Sequence, residues 1–189
     1  QRDSLLGQVY DLTQHTMVIE FNDLVALENA LANNDIACVI AEPVMTNIGM
    51  VLPQAGYWDV AQKIIRKHGT MLVMDETHTI SSGPSGYARA NHIEADALVV
   101  GKPMGGGVAC AVYGFSATLA KLAQQAKRNA PPGHSGIGTT LSANMLASTA
   151  VRATLAPRVG RTPCCKYAPL RHSGSAMMAW RPSSASAMF

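Results

Sequence analysis

Three charged residues stand directly behind apolar runs in this sequence, and the most informative of them is Lys102. It follows residues 97–100 (Ala-Leu-Val-Val) and Gly101, and it precedes Pro103, Met104 and three glycines at 105–107. An amine at the end of a buried strand is partly desolvated. Desolvation lowers its pKa and yields the neutral nucleophile needed for Schiff-base chemistry with an aldehyde. The glycines beyond it let backbone approach a bound ligand closely. The same segment reads equally well as a surface lysine entering a flexible loop. Asp75 closes the run 71–74 (Met-Leu-Val-Met), and Glu42 closes the run 36–41. A carboxylate in the place of Asp75 can pair with a protonated ring nitrogen and keep that ring electron-poor; alternatively it caps the turn behind the strand. His78, three residues on, either meets a ring hydroxyl or is a polar loop residue, and Glu76 reads as structural. Residues 136–144 (Gly-Ile-Gly-Thr-Thr-Leu-Ser-Ala-Asn) form a glycine-rich entry to a helix. Free N–H groups and hydroxyls there suit a phosphate, or they serve as ordinary helix caps.

Positioning such groups takes alternating strands and helices. Residues 16–21 read as a short strand. Asn22 or Asp23 caps a helix to about residue 32, with Leu24, Leu27, Ala30 and Leu31 as its apolar stripe. Residues 36–41 form a continuous apolar run, as in a strand covered on both faces. Residues 57–68 have helical periodicity and meet a stop at Gly69. Residues 71–74 and 97–100 are further strands, 109–115 a fifth, and Ser116 caps a helix to about residue 127; residues 142–155 are again helical. This alternation predicts an α/β fold with a mostly parallel sheet and crossover helices. Ligands in such folds gather at the carboxyl ends of strands, where Glu42, Asp75 and Lys102 all fall.

The composition narrows the classes of function. The chain has 189 residues, 48% of them hydrophobic, enough for one domain with a real core. No apolar run reaches the length of roughly 18 residues that crosses a bilayer, so no membrane span is expected. The first residues have no basic segment followed by an apolar stretch, so no signal peptide is expected, and the absence of an initiating Met suggests a fragment. The four cysteines make no C-x-x-C pair, and no His cluster has zinc-ligand spacing, so no metal site is expected. Cys38 and Cys110 read as buried free thiols, consistent with a cytoplasmic protein. All twelve acidic residues lie at or before Asp96, which leaves the second half basic. Its Lys and Arg are scattered and lack interleaved aromatics, which argues against a nucleic-acid surface. Residues 157–189 lose all periodicity and are rich in Pro, Ser, Arg, Met and Ala. They read as an irregular tail, either disordered or non-native in the manner of a frameshifted reading.

Taken together, residues 41–44 (Ala-Glu-Pro-Val), 75–79 (Asp-Glu-Thr-His-Thr), 101–102 with 105–107, and 138–144 resemble the class III pyridoxal-phosphate-dependent aminotransferases. Their order fits that family, as do the 27 positions from Asp75 to Lys102. The resemblance spans about residues 16–156. It implies the fold-type-I transferase architecture, with residues 1–156 as part of the pyridoxal 5'-phosphate-binding large domain. It implies that Lys102 carries the cofactor as a Schiff base and then moves the proton. Asp75 pairs with the pyridine nitrogen, Thr77 packs beside the ring where the family usually has Val, and His78 lies near the ring hydroxyl. Thr140 contacts the phosphate, in this family from a neighbouring subunit, which implies a homodimer acting on a small amino acid or a keto or semialdehyde substrate. Asn47 stands near the place where many ω-amino-acid transaminases have a second Glu. That feature looks more like the glutamate-1-semialdehyde aminomutase branch, which moves an amino group within one molecule, although ordinary transamination remains open. Before residue 16 nothing matches the family's glycine-rich phosphate loop or its ring-stacking aromatic. No arginine after residue 156 stands in a recognisable substrate-binding context. A catalytically inactive α/β module is therefore the competing reading.

Overall fold

The computed structural model describes residues 15–83, 85–132 and 141–156. The chain divides after Val100 into two compact units.

The first unit is built around three parallel strands, β1 (Cys38–Ala41), β2 (Met71–Asp75) and β3 (Ala97–Val100). β1 pairs with β2 from Cys38↔Met71 to Ala41↔Met74, and β2 pairs with β3 from Val73↔Ala97 to Asp75↔Val99. Alternation along each strand sorts the side chains into two faces. Val39, Ala41, Leu72, Met74 and Leu98 face the core with the helices α1 (Leu24–Leu31) and α2 (Tyr57–Lys67). Leu27, Leu31, Ala61 and Ile65 are at most 2% exposed at this contact. Cys38, Ile40, Met71, Val73 and Asp75 belong to the other face. Ile40 is 68% exposed there and Cys38 is exposed too, so β1 is covered on one face and not on both, and Cys38 is no buried thiol.

Local chemistry explains where the helices begin and end. The Asp23 carboxylate accepts the Ala26 N–H at 2.8 Å and caps α1. In α2 the apolar positions fall on one face and Arg66 and Lys67 occupy the last turn; Gly69, at φ +67, takes the left-handed position that stops the helix. Tyr57 and Trp58 at the start of α2 pack tilted and edge-on against Phe21, with ring centroids 5.0 and 6.1 Å away, and the Trp58 indole donates to the Pro43 carbonyl at 2.9 Å. Residues 16–20 make no strand. Ile19 and Phe21 instead pack one by one against the core, while Val18 is 90% exposed.

In the second unit a short 3-10 turn (Lys102–Gly105) follows β3 and leads to β4 (Val112–Phe115), α4 (Ala117–Asn129) and α5 (Met145–Leu155). Ser116 caps α4 by accepting the Leu119 N–H at 3.2 Å. Asn144 caps α5 by accepting the Ala147 N–H at 2.9 Å, so the helix begins at Met145 and not at residue 142 as expected. The glycines after Lys102 make room for the protein's own side chains. A Cβ on Gly105 would come within 2.8 Å of the Cys110 Sγ, and one on Gly106 within 2.7 Å of the Thr154 Oγ1. Cys110 is partly exposed, contrary to the expected buried thiol. Residues 157–189, read as an irregular tail, lie outside the described residues, as do residues 1–14.

Candidate active site

The carboxyl ends of β1 and β2 frame an open cleft of about 480 Å³ within the first unit. One wall is the loop behind β1, where Met45 and Val51 pair as an antiparallel bridge. The loop turns through Gly49 at φ +96 and Met50 at φ +66. Asn22 ties it down from outside: its amide donates to the Leu52 carbonyl at 2.9 Å and accepts the Gln54 N–H at 2.9 Å. Val44, Thr46, Asn47, Met50 and Leu52 line this wall, and His78, Thr79, Ser82 and Tyr87 line the opposite one. A mostly apolar concavity with a few polar groups is the usual form of a small-molecule site.

Asp75 is the last residue of β2 and is half-buried on the sheet face that the helices of this unit leave open. Its Oδ1 accepts the Thr77 N–H at 2.9 Å, which folds the chain back into the turn that carries Thr77 and His78. Glu76 points the other way, into the core, where it is 1% exposed. Its Oε1 accepts the Ala88 N–H at 2.7 Å, and its Oε2 accepts the Tyr87 N–H at 2.9 Å and the Thr79 hydroxyl at 3.1 Å. These N–H groups belong to the first turn of α3 (Gly86–Ala90), so the structural role expected of Glu76 is to hold that helix against the turn after β2.

His78 is about a third exposed, with 35% of its side chain open to solvent. Its Nδ1 is hydrogen-bonded to the Thr46 hydroxyl and lies 3.5 Å from Glu42 Oε2; the same Thr46 hydroxyl donates to Glu42. The sequence singled out Glu42 only as a strand end and passed over Thr46. The four-residue step from Glu42 to Thr46 is visible in the sequence, but their meeting with His78 is a tertiary contact across 32 positions.

Lys102 opens the 3-10 turn two residues beyond β3 and is exposed. It adopts φ +44, the left-handed region, which costs an L-residue roughly 1–2 kcal/mol. Such strain concentrates at functional positions. Its strand neighbour Val99 pairs with Asp75, and the Glu76 N–H donates to the Val99 carbonyl at 2.8 Å. Adjacent parallel strands thus end at Asp75 and two residues before Lys102. Of the five residues implied by the family resemblance, Asp75, Thr77 and His78 share one turn and Lys102 follows the neighbouring strand, while Thr140 lies outside the described residues.

Residues 3–158 match the aminotransferase class-III family. The chain belongs to this family. Among its relatives, the glutamate-1-semialdehyde 2,1-aminomutase of Anaeromyxobacter sp. is 36% identical over 154 residues, which is 79% of this chain and 34% of that relative. The solved glutamate-1-semialdehyde-aminomutase of Pseudomonas aeruginosa PAO1 is 44% identical with a TM-score of 0.69, over 75% of this chain and 32% of that one. A variant of that protein has been solved in complex with PMP. A β-phenylalanine aminotransferase from Variovorax paradoxus is 27% identical with a TM-score of 0.63, over 75% and 32% of the two chains. The chain thus spans about a third of the length of the relatives it matches. The fold is the one expected from the sequence, part of the large domain of a fold-type-I transferase, with parallel strands joined by crossover helices. Among the described residues no helix is long and apolar enough to cross a membrane, and no cluster of metal-ligating side chains is present.

Proposed function

We propose that the protein of which this chain is a part transfers amino groups with pyridoxal 5'-phosphate, with Lys102 as the residue that bears the cofactor. The observation that carries this is Asp75: a half-buried carboxylate at a strand end, steered by the Thr77 N–H onto the sheet face away from the core. A carboxylate so placed fits a cationic ring nitrogen, and the flanking Val73 and Ile40 offer apolar surface for the rest of a planar ring. When bound, the cofactor supplies an electron sink for the bonds around the substrate's amino carbon.

The protein's own groups then divide the work. Asp75 keeps the ring nitrogen protonated by ion pairing. Thr77 and His78, carried on the turn anchored by Glu76, would hold the ring beside Asp75. Lys102 would hold and return the proton at the reacting carbon, a role suited to an amine placed just behind a strand. Thr140 serves the phosphate from a neighbouring subunit, which makes the working protein a homodimer. We assign it to the cytoplasm, acting on a small amino acid or a keto or semialdehyde substrate. The likeness to the Pseudomonas aminomutase, at 44% identity against 27% for the Variovorax aminotransferase, favours intramolecular transfer of the aminomutase kind over transfer between two molecules.

The test is made on the full-length protein. Lys102→Ala is expected to abolish the visible absorption of the lysine-bound cofactor and to reduce amino transfer by orders of magnitude. Asp75→Asn is expected to retain the absorption and lose most of the rate. An unchanged spectrum in Lys102→Ala refutes the assignment.

A further inference from the structure

Two segments far apart in the sequence bring Thr46 and His78 together on fixed backbone. Thr46 follows Met45, whose N–H donates to the Val51 carbonyl at 3.1 Å and whose carbonyl accepts the Val51 N–H at 2.7 Å. His78 sits in the turn that Asp75 and the buried Glu76 hold through Thr77 and Thr79 on either side of it. A carboxylate only accepts, so the single Thr46 hydroxyl proton is directed at Glu42 Oε2. The Thr46 oxygen is left to accept, and it faces His78 Nδ1, which therefore carries the proton of the neutral imidazole. The negative charge of Glu42 Oε2, 3.5 Å from Nδ1, favours a proton in the same place. Nε2 is then the bare nitrogen, and it has no partner among the described residues. His78 lines the cleft, so this acceptor is open to a donor from outside the chain.

We propose that Thr46 and Glu42 are positioning residues for the cofactor and act on it through His78. They hold the imidazole as its Nδ1–H tautomer, so that Nε2 takes the ring hydroxyl of the cofactor as its hydrogen-bond donor. The hydroxyl's proton then lies between that oxygen and Nε2. This rests on the reading above that His78 and Asp75 hold one cofactor ring. The role concerns the cofactor and not the substrate, so it serves transfer within one molecule and between two alike.

Two measurements on the full-length protein, freed of cofactor, test this. The first is ¹⁵N NMR of protein labelled at histidine, with the His78 signals assigned by their loss in His78→Gln. The Nδ1–H tautomer is expected in the wild type and in Thr46→Ser, which keeps the hydroxyl. It is expected to be lost in Thr46→Val, whose methyl group replaces the hydroxyl and keeps Glu42 from closing on the ring. The second is equilibrium binding of pyridoxamine 5'-phosphate and of its 3-deoxy analogue, which lacks only the ring hydroxyl. The wild type is expected to prefer the natural ligand by about two- to tenfold more than Thr46→Val or Glu42→Ala does, the worth of one hydrogen bond. Thr46→Ser is expected to keep the preference, and the deoxy analogue to bind all four proteins about equally. An Nε2–H tautomer in the wild type, an Nδ1–H tautomer kept in Thr46→Val, equal weakening of both ligands, or a preference undiminished in Thr46→Val or Glu42→Ala each overturns the proposal. Failure of the wild type to bind pyridoxamine 5'-phosphate overturns it together with the cofactor reading. The tautomer is read without cofactor, and the Lys102→Ala spectrum does not involve Thr46, so the two readings fail separately.

Discussion

Gly86→Ala should be far more damaging than its size suggests. Gly86 opens α3 at φ +82, where a Cβ costs roughly 1–2 kcal/mol through backbone sterics alone. The added carbon would also stand 2.6 Å from Glu76 Oε2 and 2.8 Å from Oε1, too close for either to remain in place. Glu76 is 1% exposed, so its carboxylate has no water to retreat to. Moving it lengthens the bonds that it accepts from Tyr87, Ala88 and Thr79. Weakening even one hydrogen bond to a buried charge costs about 1.5–3 kcal/mol. The sum is about 2.5–5 kcal/mol, which for a chain of this size lowers Tm by roughly 5–20 °C. Gly83→Ala is the matched control: Gly83 sits at φ 169 in extended backbone, and a Cβ there meets nothing within 4 Å. It should change stability by no more than about 0.5 kcal/mol. Thermal and urea unfolding of the two variants decide the matter. If Gly86→Ala unfolds within a degree of the control, the close approach of Glu76 to α3 is not what holds this corner together.

Two further outcomes follow from other contacts. Asn22 bridges to the Leu52 carbonyl and the Gln54 N–H from a backbone at φ +72, so Asn22→Gly should lose about 1–2 kcal/mol in urea unfolding and Asn22→Ala about 1 kcal/mol more, because Ala also resists that φ; equal losses in the two would refute the backbone argument. The Lys67 hydrogen bond, followed by that of His68, holds the Glu28 carboxyl below its usual pKa. A group depressed on folding stabilises above its unfolded pKa, and that contribution is lost as pH falls through the folded value. The stability gap between wild type and Glu28→Gln, measured by unfolding from pH 7 to pH 3, should therefore narrow on acidification and shrink in high salt.

Local signals in the sequence sufficed wherever one segment decides its own shape. The Ser116 cap, a cap at Asn22 or Asp23, the Gly69 stop and the strands ending at Asp75 and Val100 all came from neighbours within a few residues. The errors arose where the outcome depends on the rest of the molecule. Residues 16–21 are mostly apolar, which fits a strand; here Phe21 finds its partners in the Tyr57 and Trp58 rings, and no ladder is needed. The unbroken apolar run ending at Ala41 implied a strand covered twice, yet the described elements of its unit cover one face.

The site divides along the same line. The sequence singled out Asp75 and Lys102 because a chemical group behind an apolar run is a local pattern. Their backbone setting was not legible: nothing in the sequence marks Lys102 for φ +44, or shows that Gly105 and Gly106 make room for Cys110 and Thr154 in place of a ligand. The glycines therefore hold the lysine's turn on the protein's own packing. His78 shows the reverse case. Read from its neighbours it is one more polar residue in a turn, and its place in the family motif points it at a cofactor. Its tie to Thr46, across 32 positions of sequence, and through it to Glu42 is a tertiary contact that no neighbouring residue reveals.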